Sequence, residues 1–288
     1  MTPRLVVAIA ALTIREIARR RILWVMLLLS VASVVLVGWG VERLVSLARE
    51  QGLDELEIRI GVSQVLIMIA FMFSFVLAMS AAFLGAPAIA SDVETGTVHA
   101  LLARPLRRGD LVLGRWLGLA IVIAGYAALS GSLAIAVVRQ VSGHQPPEPI
   151  LAIAFLAFQA VTVLTVALTL GTRLPAIAAG AVTVVLFGLG WFAGVLGNVA
   201  VAFGAAPLAG VGDAARILLP SDGLWRGVIY GLEPPVVLLA AAGRNATAMQ
   251  ANPFFASAPP QAAFLGWSVA WVILVLAAGV VLFRRREL

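Results

Sequence analysis

The sequence contains no cysteine and no lysine. Without cysteine, disulfides, thiol nucleophiles and cysteine-ligated metals are excluded. Without lysine, the chain lacks the residue that a P-loop sets on the β- and γ-phosphates, so it is not a conventional ATPase. Schiff-base chemistry goes with it. All twenty basic residues are arginine. Histidine is scarce too: His99 and His144 are the only two, and both fall in connecting segments expected on opposite sides of the molecule. No HExxH or GxSxG stands in the chain, so intramembrane hydrolysis has neither a metal site nor a Ser–His pair to work with. The residues point away from an enzyme.

Charge is the other scarcity. Charged residues make up 12% of the 288 and hydrophobic residues 62%, with a mean hydropathy of +1.05. Soluble domains carry about 25% charged residues, so this chain cannot cover its surface with polar groups, and lipid is its solvent. The net charge of +6 does not indicate nucleic acid, because the arginines gather where apolar runs end.

Those runs predict six helical spans: Ile22–Val41, Val62–Ala90, Leu117–Val138, Ile150–Leu170, Ala176–Phe203 and Ala262–Phe283. Each is long enough to cross hydrocarbon and none holds an Asp, Glu, Arg or His. A transmembrane barrel would alternate apolar and polar residues, which these runs do not. The expected fold is an all-α membrane protein forming a single transmembrane domain over residues 1–288. Arg15, Arg19, Arg20 and Arg21, then Arg104, Arg107, Arg108 and Arg115, then Arg173, and finally Arg284, Arg285 and Arg286 all fall on one side of a six-span chain. By the positive-inside bias that side is the cytoplasm, with both termini there. The heavy use of Ala, Val, Leu, Gly and Arg suggests a bacterial source and so the plasma (inner) membrane. The first span is too long for a signal-peptide core and is expected to stay uncleaved. Before it, residues 4–21 predict a helix lying in the membrane interface, with Leu5, Ile9 and Leu12 on one side.

Residues 204–261 form a long segment on the far side, rich in proline. Within it Ala214–Leu219 and Trp225–Leu232 suggest short helices on or dipping into the outer leaflet, and a re-entrant helix is an open alternative. Inside the spans Gln159, Thr162 and Thr165 share one helix face. They either line a path or hydrogen-bond neighbouring helices, the commoner use. Gly114 with Gly118, and Gly190 with Gly194, have the GxxxG spacing that lets backbones approach closely.

The segment at 91–115 reads SDVETGTVHALLARPLRRGDLVLGR. Val98, Leu101 and Leu102 make a short amphipathic stretch that Pro105 stops. Exposed leucines on such a helix offer a grip to a soluble partner. Glu94, Gly96-Thr97, Leu101-Leu102, Pro105, Arg108 and Gly114 together resemble the loop between the second and third spans of the permease subunits of type-2 ABC transporters, the six-span bacterial kind. Arg107 stands where that family usually has a small residue and Arg115 where it has lysine. The basic helix before the first span and the ending Phe283–Leu288 are also similar to the family. The motif covers about a tenth of the chain and the span layout nearly all of it.

The resemblance implies a division of labour. A separate cytoplasmic ATPase subunit would bind ATP and Mg and push on the loop around Glu94–Leu102, while the spans of this chain form the path of an exporter. Two permease chains, as a homodimer or paired with a homologue, would assemble with two ATPases. No cofactor is expected in this chain. A non-transporting membrane scaffold shares every hydropathy feature. A secondary carrier would show intramembrane carboxylates or repeat halves with broken helices, and the spans contain neither.

Overall fold

The computed structural model describes residues 3–19, 21–96, 107–237, 249 and 251–286. Among these the chain forms ten helices and no strand. They are α1 (Pro3–Arg19), α2 (Arg21–Glu50), α3 (Glu55–Gly85), α4 (Pro87–Glu94) and α5 (Arg108–Ser142), followed by α6 (Pro149–Gly171), α7 (Ala176–Ala202), α8 (Ala206–Leu218), α9 (Ser221–Leu232) and α10 (Ala262–Arg284). Six are long and apolar enough to cross a membrane: α2, α3 running into α4, α5, α6, α7 and α10. The protein is an all-α membrane protein, and the six spans fall where the apolar runs put them.

The helices outrun the hydrocarbon at several ends. α2 continues to Glu50 and α5 starts at Arg108, because the residues beyond the apolar core find partners of their own. The third span is the clearest case. Its first two turns carry Arg108 and Arg115, and both are held by other helices. α6 sits at the centre, packed on α3, α5, α7, α9 and α10, and its apolar residues Leu156, Val163, Leu164 and Leu168 are buried.

α1 lies against α5. Gly114 and Gly118 leave room for it: a Cβ on Gly118 would come within 2.7 Å of the Ala10 carbonyl oxygen, and Gly114 faces Ile9 and the Val6 carbonyl. The outward face of α1 exposes Val7 and Leu12 beside Arg4, Arg15 and Arg19, a mixed surface that suits a helix at a membrane interface. The first GxxxG pair thus packs two helices of one chain.

In the long segment at 204–261, where a re-entrant helix stood as an open alternative, two helices form. α8 and α9 are longer than the short helices read from the sequence, and α9 is inserted into the bundle with Leu224, Trp225, Val228, Ile229 and Leu232 buried. At one end of α9 the Glu148 N–H donates to the Gly231 carbonyl at 3.0 Å, level with the start of α6. At the other end Gln159 Nε2 donates to the Ser221 carbonyl at 3.2 Å. Gln159 stands about 15 Å along α6 from its first residue, so the tip of the hairpin reaches roughly half-way across a hydrocarbon core of about 30 Å. α8–α9 is a re-entrant hairpin entering from the arginine-poor end. Glycines allow it: Gly223 meets the Phe264 ring, Gly227 lies on Phe155, and Gly212 of α8 abuts Gly197 of α7.

Candidate functional site

The arginine-rich end carries the residues that the sequence singled out between the second and third spans. Glu94, Gly96 and Arg108 are described, whereas Thr97, Leu101, Leu102 and Pro105, with His99, lie outside the described residues. The connection is shorter than 91–115: residues 91–94 belong to α4 and residues 108–115 to α5. Gly96 ends α4 in the left-handed region at φ 71°, where a side chain would be strained.

Among the described residues the partner of Glu94 is a backbone N–H of another helix. Its Oε1 accepts the Ala176 N–H at 2.9 Å, which is the first turn of α7. The residue before that turn, Pro175, has no side-chain acceptor to offer. The orphan N–H groups and positive end of the helix dipole therefore find their carboxylate on α4. Arg108 performs the opposite service at the end of α10, where Nη1 donates to the carbonyls of Arg284 at 3.1 Å and Arg286 at 2.6 Å. Arg286 in turn donates to the Thr172 carbonyl at 2.6 Å, beyond the end of α6. Arg115 bridges Glu16 of α1 at 2.8 Å and Asp92 of α4 at 3.0 Å. α4, α5, α6, α7 and α10 are thus tied to one another at this end by carboxylates and guanidiniums.

Gln159, Thr162 and Thr165 are buried on the face of α6 that turns inward. Ser74 Oγ on α3 donates to Gln159 Oε1 at 2.8 Å, while Gln159 Nε2 holds the hairpin tip. Thr165 Oγ1 accepts Trp116 Nε1 from α5 at 2.9 Å and donates to the Val161 carbonyl at 2.7 Å. Thr162 bonds back to the Phe158 carbonyl at 2.9 Å. Gln159 and Thr165 make hydrogen bonds between helices, and Thr162 satisfies its own.

Sequence reasoning missed the charged residues of the hairpin. Arg216 Nε donates to Asp222 Oδ2 at 2.9 Å and Nη2 to Asn198 Oδ1 at 2.7 Å, while Arg226 Nη1 reaches the same Asn198 oxygen. Gly194 of α7 makes room for the Asp222 carboxylate, which lies directly against it. The available signal was Asn198 inside the fifth apolar run, opposite a segment with arginines and aspartates at turn spacing.

A second polar group sits at the arginine-poor end. Glu233, only 2% exposed, follows the last turn of α9. Its Oε2 accepts the Ala256 N–H at 3.2 Å, and Gln64 of α3 stands close enough to favour the ionised carboxyl. Ser63 Oγ holds the neighbouring Leu232 carbonyl at 2.9 Å. Burial pushes the carboxyl up to about 7, against the smaller opposing effect of those hydrogen bonds. Pro234 and Pro235, next in the chain, line a cavity of about 510 Å³ together with Arg59 and His144. Burial, helped by the Arg59 charge, holds the His144 imidazole below its ordinary pKa.

The model of one family, described as ABC-2 family transporter protein, matches residues 7–288. No curated protein matches the chain. The match takes in all six spans, the α4–α5 connection and the re-entrant hairpin, so the chain belongs to the ABC-2 family of transporter proteins and is a membrane permease of an ABC transporter.

Proposed function

We propose that this ABC-2 permease is the membrane-spanning half of an ATP-driven exporter, moved by a separate ATPase that grips the connection between α4 and α5. ATP and Mg are held in that partner, and this chain contributes no cofactor site. Two permease chains, identical or paired with a homologue, stand over two ATPases. The arginine-rich end faces the cytoplasm of a bacterial cell, with both chain termini there and the spans in the plasma (inner) membrane.

The observation that carries the reading is the Glu94–Ala176 hydrogen bond at 2.9 Å. A push on the residues just after Glu94 moves α4, and α4 is bonded to the first turn of α7. Arg115 passes the same displacement to α1 and α5 through Asp92 and Glu16. A soluble motor needs only to grip Leu101 and Leu102 to shift several spans together. The absence of lysine fits the same division, since the chain has no P-loop with which to hydrolyse ATP.

The test is purification of the tagged protein from its native membrane in mild detergent, beside the double variant Leu101→Asp, Leu102→Asp. A P-loop ATPase that accompanies the wild type and is lost from the variant, at equal permease level, is the expected result. An intact protein that brings down no ATPase overturns the proposal.

A further inference from the structure

The carboxyl of Glu233 lies where an ionised group has little to hold it. It follows the carbonyl end of α9, the negative end of the helix dipole, and its Oε1 is buried without a hydrogen-bond partner. Among the described residues no cation forms an ion pair with it.

The neighbouring elements supply few charges. α3 brings Arg59, which is exposed and one turn before Ser63. The turn after α5 brings His144, and Glu148 stands exposed at the start of α6. The residues described over 251–261 contain no charge. On α9 itself Arg226 is about two turns away and bonded to Asn198. The hydrogen bond that Glu233 accepts comes from the Ala256 N–H, on the stretch leading into α10. That stretch is a plug. Phe255 and Ala256 are buried, and the Phe254 ring packs edge-on against Phe71 of α3, centroids 5.2 Å apart.

We infer that Glu233 is a proton-binding site that controls whether the 254–256 plug is seated on the re-entrant helix: the protonated carboxyl keeps it seated, and ionisation releases it towards the cavity beside Pro234 and His144. Ionisation favours whichever arrangement hydrates the carboxylate. With a seated carboxyl at about 7 against 4.5 in water, the seating equilibrium shifts by up to about 300-fold between acid and alkaline extremes. The ligand is the proton. The inference concerns the permease alone and does not require the ATPase reading to hold.

Having no cysteine, the chain suits spin labelling. Labels at Ser257→Cys, exposed just beyond the plug, and Ile150→Cys, 83% exposed at the start of α6, report the seating distance by double electron–electron resonance in lipid nanodiscs without ATPase. The expected result is one distance at pH 5.5, a second and longer one growing in with a midpoint near pH 7, and only the first at every pH in Glu233→Gln. A wild-type distance that does not change with pH overturns the inference. So does a pH response that survives in Glu233→Gln, or one that His144→Gln abolishes in its place.

Discussion

Arg216 and Asp222 face each other across the turn of the re-entrant hairpin, guanidinium Nε to carboxylate Oδ2 at 2.9 Å, with the carboxylate 4% exposed. The pair lies inside the helix bundle beside α7, where an unpartnered charge is costly. Arg216→Ala leaves the Asp222 carboxylate buried with its principal partner gone, and a loss of about 3–5 kcal/mol is expected. In the double variant Arg216→Ala, Asp222→Asn the loss should be clearly smaller than in Arg216→Ala alone, because the stranded charge goes too. Unfolding midpoints in detergent, measured for both variants and the parent, check the order.

The seat of that carboxylate is Gly194, and space alone distinguishes it from its GxxxG partner. A methyl group on Gly194 collides with the Asp222 carboxyl, whereas one on Gly190 meets Leu219 at 3.3 Å. Gly194→Ala is therefore expected to cost about 1–3 kcal/mol by overpacking, and Gly190→Ala distinctly less. Thermal denaturation of the two single variants decides it; equal losses would mean that Asp222 moves aside freely.

Glu94 gives a functional contrast with the leucines of the connection. Glu94→Ala removes the carboxylate from the first turn of α7, a loss of about 0.5–2 kcal/mol by comparison with other helix N-terminal acceptors. Under the proposed mechanism the ATPase still co-purifies with Glu94→Ala but its hydrolysis no longer responds to the permease. In the Leu101→Asp, Leu102→Asp variant the ATPase is lost altogether. Co-purification and ATP turnover in proteoliposomes, measured on the same preparations, separate the two outcomes.

Stability should depend on pH through Glu233. Its folded-state value of about 7 lies above the 4.5 of an unconstrained glutamate, so the folded protein binds the proton more tightly than the unfolded chain does. The stabilisation is complete below about pH 4.5 and is lost as pH rises through about 7. Melting temperatures from pH 5 to pH 8.5 should fall across that window in the parent and stay flatter in Glu233→Gln. A parallel fall in both would assign the effect to another group.

The spans were legible because each is an uninterrupted apolar run, and runs such as Ile150–Leu170 have no other way to satisfy their backbone than as helices. Gln159, Thr162 and Thr165 could be placed on one helix face from spacing, but their partners Ser74, Trp116 and Ser221 come from separate helices and no local pattern announces them. The hairpin was hidden for a physical reason. Asp213, Arg216, Asp222 and Arg226 bring charge into 204–261 and make a partly buried segment read as an aqueous one, although all four pair with one another or share Asn198 once folded. The GxxxG pairs were visible as close-packing signals. Their targets, α1 and the hairpin tip, lie in the same chain, which sequence spacing cannot specify. For Glu94 the sequence could not name the partner. The acceptor role at α7 depends on how the ends of α4 and α7 meet, a fact of tertiary structure.

α7 is fastened near both ends. Its first N–H groups are held by Glu94 on α4, and some 30 Å away its Asn198 is clasped by two arginines of the hairpin, with Gly194 and Gly197 pressed against the same hairpin. A straight helix barely stretches, so α7 works as a connecting rod: an axial displacement at one face of the membrane reappears, nearly undiminished, at the hairpin on the other side of the bilayer midplane. The two ends of the molecule are therefore in mechanical series, and neither can be repositioned along that axis without the other.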